Sequence, residues 1–273
     1  MKTAFATVIY KQAKPYLQDL LNSVDNQTDK DFDLLIFNDN YTPDELASLD
    51  LSNAKLIDLR PLGVSIVGTR IEMLKKCKSL GYDLVIIGDA DDTFAPNRVE
   101  QVKKTAELDK DSVFFYNKLI TDSGNEMFKT LPKKLTKISN LAQYNFVGMS
   151  TSAIKVQALS DDFIESLYEG ETAVWDWYLY SRILLEIGPG ALVDDTSTIY
   201  RIYDNNEVGT KRDLNQEYNV KLIHYTNLAK RYDYFKGLLD ELKKLDVAKL
   251  HHSDKHQGYW WNDIQLEIDN DNN

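Results

Sequence analysis

The chain has 273 residues, 43% apolar and 27% charged, enough for one large or two small domains with a real core. Its 32 basic and 43 acidic residues leave a net charge of −11, which argues against nucleic-acid or anionic-membrane binding as the main activity. A single cysteine, Cys77, excludes an internal disulfide and points to a reducing compartment.

The opening MKTAFATVIYKQ turns polar too early for a signal peptide. No stretch approaches the roughly 20 apolar residues of a membrane-spanning helix. The expectation is a soluble, cytoplasmic protein with no integral membrane segment, peripheral membrane contact being left open. FATVIY (5–10) reads as a strand and PYLQDLLNSV (15–24) as a helix with Pro15 at its start. DLLIFN (33–38) is a second strand. Thr42, Pro43 and Glu45 then form the pattern of a capping box at a helix start. AKLIDL (54–59) is a third strand, residues 65–80 an amphipathic helix closed by Gly81, and DLVII (83–87) a fourth strand. Cys77 lies within that helix and reads as a small core hydrophobe. This alternation predicts an α/β fold, a Rossmann-like, mostly parallel central sheet with helices on both faces.

Further on, RVEQVKKTAEL (98–108) is a helix and SVFFYNKLIT (112–121) a strand. The turn at Asp122–Asn125 predicts a hairpin with EMFKTL (126–131). Residues 126–170 otherwise show no pattern with a chemical meaning. A helix spans 175–187, a last strand 196–203, and a charged helical segment 213–250. The layout is therefore a catalytic α/β domain over 1–205 with a helical C-terminal extension over 206–273.

The fourth strand runs into GDADDT, with Asp89, Asp91 and Asp92 within four positions. In an open α/β sheet ligands bind beyond the carboxyl ends of the strands, where these carboxylates lie. Carboxylate oxygens suit Mg²⁺ or Mn²⁺, each held by one or two carboxylates plus substrate phosphates. The plainer alternative is an Asp-rich turn leading into the next helix. Two enzyme classes share the letters. In haloacid dehalogenase-like phosphohydrolases the first aspartate, here Asp89, is a nucleophile. In nucleotide-sugar glycosyltransferases the carboxylates hold a cation bridging the diphosphate. The first class puts this strand first and needs a lysine upstream of a later acidic pair. Here three strands precede it, and the 38 residues before Asp194-Asp195 contain only Arg182 as a basic residue.

The surroundings resemble family 2 glycosyltransferases, which share the GT-A fold. Leu17, Leu21, Ser23, Gln27 and Thr28 followed by FDLLIFND fall at that family's spacings, although IYKQ replaces its usual Pro-x-Tyr-Asn. GTRIEMLKKCKSLGYDLVIIGDADDTFAPNRVE resembles its arginine-led helix, strand, Asp cluster and Pro-x-Arg. KLITDSGNEMF resembles its Asp-x-x-Gly hairpin. WDWYLYSRILLEIG matches its Asp-led helix, with Arg182 six residues after Asp176 and Gly188 closing it. STIYRIYDNN resembles its Tyr-Arg-x-His strand, with Tyr203 in the histidine's place. The resemblance covers roughly residues 3–206.

It implies a metal-dependent inverting transfer from a nucleotide-diphosphate sugar, expected to be a UDP-sugar, to a hydroxyl of a glycan or lipid-linked acceptor. A place in polysaccharide or glycoconjugate synthesis is fold-level analogy. It implies that Ile9, Asp39, Arg70, Asp89, Ala90 and Asp91 contact the donor: Asp39 the base, uracil, and Arg70 the diphosphate, where a guanidinium fork suits phosphate oxygens. Asp91 would be the main ligand of Mn²⁺ or Mg²⁺, with Asp89 and Asp92 beside it. Asp176 would be the general base that deprotonates the acceptor hydroxyl. Asp39 could instead form an Asx-turn, and Asp176 could simply complement its helix dipole. Trp175 and Trp177 would either shield Asp176 and raise its pKa or stack against an acceptor sugar. His251, His252 and His256 read as solvated residues, and Trp260-Trp261 as a lid, an oligomer contact or an acceptor-side patch. Two alternatives stand beside this reading: the phosphohydrolase, and a degenerate GT-A domain that binds nucleotide or glycan without turnover.

Overall fold

The computed structural model describes residues 1–51, 53–58, 65–170, 172, 174–202, 213–252 and 258–266. Strands β1 (Thr3–Ile9), β2 (Asp33–Asn38), β3 (Ala54–Asp58) and β4 (Leu84–Asp89) alternate with helices α1 (Leu17–Asp25), α2 (Pro43–Ala47) and α3 (Ile66–Ser79). Then come β5 (Thr93–Phe94), α4 (Arg98–Leu108), β6 (Phe114–Thr121), β7 (Lys134–Leu135), β8 (Ser152–Lys155), α5 (Asp161–Ser166), α6 (Trp175–Glu186) and β9 (Gly190–Tyr200). Two helices, α7 (Leu214–Ala229) and α8 (Asp233–Lys244), follow.

The strands join in the order β3-β2-β1-β4-β8-β6-β9-β5, with β7 on β9. The first four are parallel, as the strand–helix alternation predicts, and β6 runs parallel to β9. β8 reverses the direction between β4 and β6. Both faces of the sheet are covered. In β4, Leu84 and Ile86 pack with α1 and α4, while Val85 and Ile87 pack with α3, α5 and α6 on the other side. A strand buried on both faces needs an unbroken apolar run, which is why LVII carries no polar residue. Cys77 is buried, and burial pushes its thiol up to about 12, consistent with a core role.

Local signals behave as their chemistry dictates. Thr42 and Glu45 close the capping box at 3.3 and 2.7 Å. Gln27 is buried and ties α1 to the start of α4, donating to Ala95 O and accepting from Val99 N, both at 2.9 Å. Gly81 adopts φ +74, the left-handed conformation that ends α3 cheaply.

Three expectations need correction. The hairpin partner at 126–131 shrinks to one bridge between Ile120 and Glu126. Phe128 instead turns inward to pack on Tyr259 and Trp260, at 5.8 and 5.1 Å between ring centroids. β9 starts at Gly190, not 196, because Ala191 and Val193 are buried ahead of the exposed Asp194-Asp195 pair. The helical segment 213–250 divides between α7 and α8. Tyr225, Leu228, Phe235, Leu238 and Leu242 of these two helices lie in the same apolar cluster as Trp177 of α6. No helix among the described residues is long and apolar enough to cross a membrane.

Candidate active site

β1, β2 and β4 end side by side, and their carboxyl ends carry the first candidate residues. Asp39 donates its backbone N–H to Ile9 O at 3.1 Å, so the base-contact candidates of β1 and β2 are neighbours. Ile9 is buried and Asp39 partly exposed. Asn38 beneath them forms the local turn, exchanging hydrogen bonds with the Tyr41 backbone at 2.8 and 2.9 Å. The Asx-type turn thus belongs to Asn38, which leaves the Asp39 side chain available for a ligand.

At the end of β4, Asp89 accepts an ion pair from Arg70 on α3, at 3.5 Å. Burial pushes the Asp89 carboxyl above its ordinary value, against the pull of Arg70 and with the repulsion of Asp91. Ala90 is buried, and Asp91 is partly exposed. Asp92 turns inward and is only 3% exposed. It accepts from the Arg201 backbone N–H at 3.3 Å, and burial followed by the charges of Asp89 and Asp91 holds its carboxyl well up. Gly88 is required just before the cluster: a side chain there would meet Phe94 Cζ at 2.5 Å and the Phe5 ring at 2.9 Å.

Beneath the cluster lies Arg98, fully buried. It donates to Asn117 Oδ1 (2.9 Å), Ile87 O (2.8 Å) and Ser152 O (3.3 Å), clamping β6, β4 and β8 together. Its guanidinium also lies 4.5 Å from the Phe94 ring centre. Burial lowers its pKa to about 9, which leaves it charged at neutral pH, and the charges of Asp92 and Asp89 favour that state. Arg201 adds a second clamp from above, donating to Asp91 O at 3.1 Å and to Asp19 at 2.7 Å.

Asp176 stands in the first turn of α6. Its pKa rises to about 6, chiefly through burial; Arg70 opposes the rise and Asp89 adds to it. Asp176 therefore shares the electrostatic environment of the β4 carboxylates. Its Oδ1 accepts from Trp177 N at 2.7 Å. Trp175 and Trp177 are 1% and 0% exposed, so neither presents a face to an acceptor. Trp177 stacks on His224 at 3.9 Å and donates to Leu141 O at 2.6 Å. Arg182 is structural: buried, it pairs with Glu186 and donates to Tyr178 Oη and Ser166 Oγ, both at 2.9 Å.

A 3₁₀ turn over Met149–Thr151 links these groups. Ser150 Oγ accepts the Asp89 N–H at 3.1 Å, and the Ser150 hydroxyl favours the charged form of Asp92. Gly148, just ahead, lies against Asp176 and Trp260. This turn falls within residues 126–170, where the sequence shows no pattern with a chemical meaning. Its run of small residues, Gly148 with Ser150, Thr151 and Ser152, is the available signal, because small side chains mark close approach of backbone to functional groups. Arg98 was legible only as part of Pro-x-Arg.

Among the described residues no three His, Cys, Asp or Glu side chains form a ready-made metal cage. A cation that takes its remaining ligands from phosphate and water needs only one or two carboxylates. Asp89 and Asp91, partly exposed and mutually repelling, fit that mode; Asp92, turned inward, fits a supporting part. His252 pairs with Asp263 at 3.3 Å, and Tyr203 and His256 lie outside the described residues. A cavity of about 230 Å³ lined by Lys118, Phe128, Lys129 and Asp194 contains none of the candidate residues.

The chain belongs to glycosyl transferase family 2, whose model matches residues 5–160. Its fold is GT-A, as its structural neighbours show. S. aureus TarS 1–349 in complex with UDP-GlcNAc aligns with a TM-score of 0.62 at 15% identity, over 89% of this chain and 72% of that one. GalNAc-T7 with UDP, GalNAc and Mn²⁺ gives 0.60 at 12% identity, over 90% and 52%. The mannosyltransferase PcManGT from Pyrobaculum calidifontis, with GDP-Man and Mn²⁺, gives 0.52 at 12% identity, over 88% and 68%. No curated protein matches the chain in sequence. With the family shown, the phosphohydrolase alternative falls.

Proposed function

We propose that this chain transfers a sugar, with inversion, from a UDP-sugar to a hydroxyl acceptor. The observation that carries the reading is the convergence of Arg70, Asp89 and Asp176 from three separate elements on one electrostatic environment. Three structural neighbours hold nucleotide sugars, or a nucleotide with a sugar, and two of them Mn²⁺. UDP recurs in two of the three, which favours uracil as the base.

In this mechanism Ile9 and Asp39 receive the base, Ala90 and Asp89 border the ribose, and Arg70 faces the diphosphate. Asp89 and Asp91 would hold a divalent cation, which when bound neutralises the charge developing on the diphosphate leaving group. Asp176 accepts the proton of the acceptor hydroxyl as that oxygen attacks the anomeric carbon. The bond from that carbon to the β-phosphate oxygen breaks, and its electron pair leaves with UDP. The proton ends on Asp176, and one attack from the far face inverts the centre. A base with pKa about 6 is deprotonated at neutral pH yet basic enough to take a proton in the transition state. Arg98, Ser150 and Arg201 keep the carboxylates in place and touch no substrate in this scheme.

Calorimetric titration of UDP, GDP and dTDP, each with and without Mn²⁺, tests the donor side. The account expects UDP to bind best and to need the cation. Absence of metal-dependent binding for all three would remove it.

A further inference from the structure

Residues 258–266 run back across the molecule and bring an aromatic side chain beside the candidate base. A side chain at Gly148 would meet Trp260 Cη2 at 3.2 Å and Asp176 Oδ2 at 3.7 Å, so indole edge and carboxylate crowd the same point of backbone. We propose that Trp260 is the platform for the acceptor sugar, its ring stacked on the C–H face of a pyranose whose hydroxyl reaches Asp176. The proposal rests on the glycosyl-transfer reading with Asp176 as base, and adds to it the chemical class of the acceptor: a carbohydrate ring.

The segment is built as a fixed strap. Trp260 and Asn145 exchange two backbone hydrogen bonds, both at 2.9 Å. Further along, buried Glu217 accepts from Asp263 N at 3.1 Å and Ile264 N at 2.7 Å. Buried Lys221 pairs with Glu217 at 3.2 Å and donates to Ile264 O. Gln143 and the Leu266 backbone exchange bonds at 2.6 and 3.0 Å. Two charged side chains are thus taken from water to hold this one short peptide.

The strap also carries backbone strain next to the indole. Trp261 has φ 60, a left-handed conformation that is strained for a bulky residue and persists where the surroundings over-determine it. Gly258, at φ +87, approaches Met127 O so closely that a side chain there would sit 2.3 Å from it. The strap's path is thus dictated from both sides of Trp260. Phe128 supports the indole edge-on, at 5.1 Å and 87°. Trp260 itself is only partly buried, although its indole N–H is turned into the protein. An aromatic ring beside a carboxylate suits a sugar ring, which has an apolar C–H face and a polar rim. Trp175 and Trp177, closer in sequence to Asp176, are buried and unable to serve.

Saturation-transfer NMR on the full chain with UDP and Mn²⁺ tests the platform, the probes being methyl β-D-glucopyranoside, methyl β-D-galactopyranoside and methyl N-acetyl-β-D-glucosaminide. At least one pyranoside should receive saturation at its ring C–H protons. Trp260→Ala should weaken that binding by about tenfold and Trp260→Phe much less. Gly148→Ala, which narrows the gap without removing the ring, should weaken it as well, with UDP affinity unchanged in all three variants. Wild-type sugar binding in Trp260→Ala, or no transfer to any pyranoside in a wild-type chain that binds UDP, would overturn the proposal. Trp260-dependent sugar binding in a chain that fails to bind UDP would uphold the platform and remove the donor reading instead.

Discussion

Arg70 lies 3.5 Å from Asp89, and the same guanidinium is the strongest influence opposing the raised pKa of Asp176. One cation on α3 therefore acts on both the end of β4 and the start of α6. In the proposed reaction this is where the diphosphate gathers negative charge while Asp176 gains a proton. Arg70 favours the first change and keeps Asp176 from being protonated too early.

The pH dependence of turnover follows from Asp176. It must be ionised to act, and its pKa is about 6. Activity per enzyme should fall tenfold per pH unit below that value and level off above it. Burial, opposed by Arg70 and reinforced by Asp89, sets where the limb lies. A profile flat between pH 5 and 7 contradicts the assignment.

Asp176 also loads the fold. Its folded-state pKa is raised from 3.8 to about 6, so between those values the native chain binds more proton than the unfolded chain and stability falls as pH rises. Above pH 6 the full cost is present. Asp176→Asn should accordingly raise thermal stability at pH 7, by no more than about 3 kcal/mol given partial solvent screening. The gain should vanish below pH 4. Thermal melts of both proteins across pH 4–8 check the sign.

Arg98 is the hidden support of the carboxylate loop. Arg98→Met leaves two main-chain carbonyls and Asn117 without their donor and removes the positive charge beneath Asp89 and Asp92. The expected cost is about 3–5 kcal/mol in urea unfolding. Arg98→Lys should recover only part, because an ammonium lacks the planar fork that reaches three strands.

Asp91 and Asp92 should separate experimentally, although they are adjacent. Asp92 is buried and hydrogen-bonded, so Asp92→Asn keeps its contacts and should change Mn²⁺-dependent UDP affinity by less than about threefold. Asp91→Asn removes the partly exposed carboxylate proposed as the main cation ligand and should weaken it by about tenfold or more. Calorimetry on the two variants decides the matter, and the reverse order contradicts the assignment.

Gly88→Ala tests the packing just before the cluster. The added methyl would lie 2.5 Å from Phe94 Cζ, and overpacking of this kind costs about 1–3 kcal/mol. An unchanged urea midpoint would show that Phe94 and Phe5 yield more easily than this packing implies.

Much of the fold up to β4 is legible in the chain because its signals are local. The apolar run of β4, the Thr42–Glu45 cap and the Asp cluster each sit within a few residues. Asp176 was legible only through its resemblance to a family pattern. Arg98 and Ser150 act through tertiary contacts with residues 11 to 61 positions away, and no local pattern announces such contacts. The same holds for the strap: the pairing of Asn145 with Trp260 spans most of the C-terminal half, and a buried Glu217–Lys221 pair looks in sequence like any solvated i, i+4 pair. The hairpin expected at 126–131 does not form in full because turn residues predict a reversal, not what the returning chain meets; here it meets Tyr259 and Trp260.

The central claim is that Asp176 is the base of a sugar transfer from UDP. The most direct test measures UDP release from a panel of UDP-sugars with Mn²⁺, for the wild-type chain and Asp176→Asn, with UDP affinity determined in parallel. The account predicts release from at least one donor, slowed by about 10²–10⁴-fold in Asp176→Asn at unchanged UDP affinity. Equal release by the two proteins would contradict it.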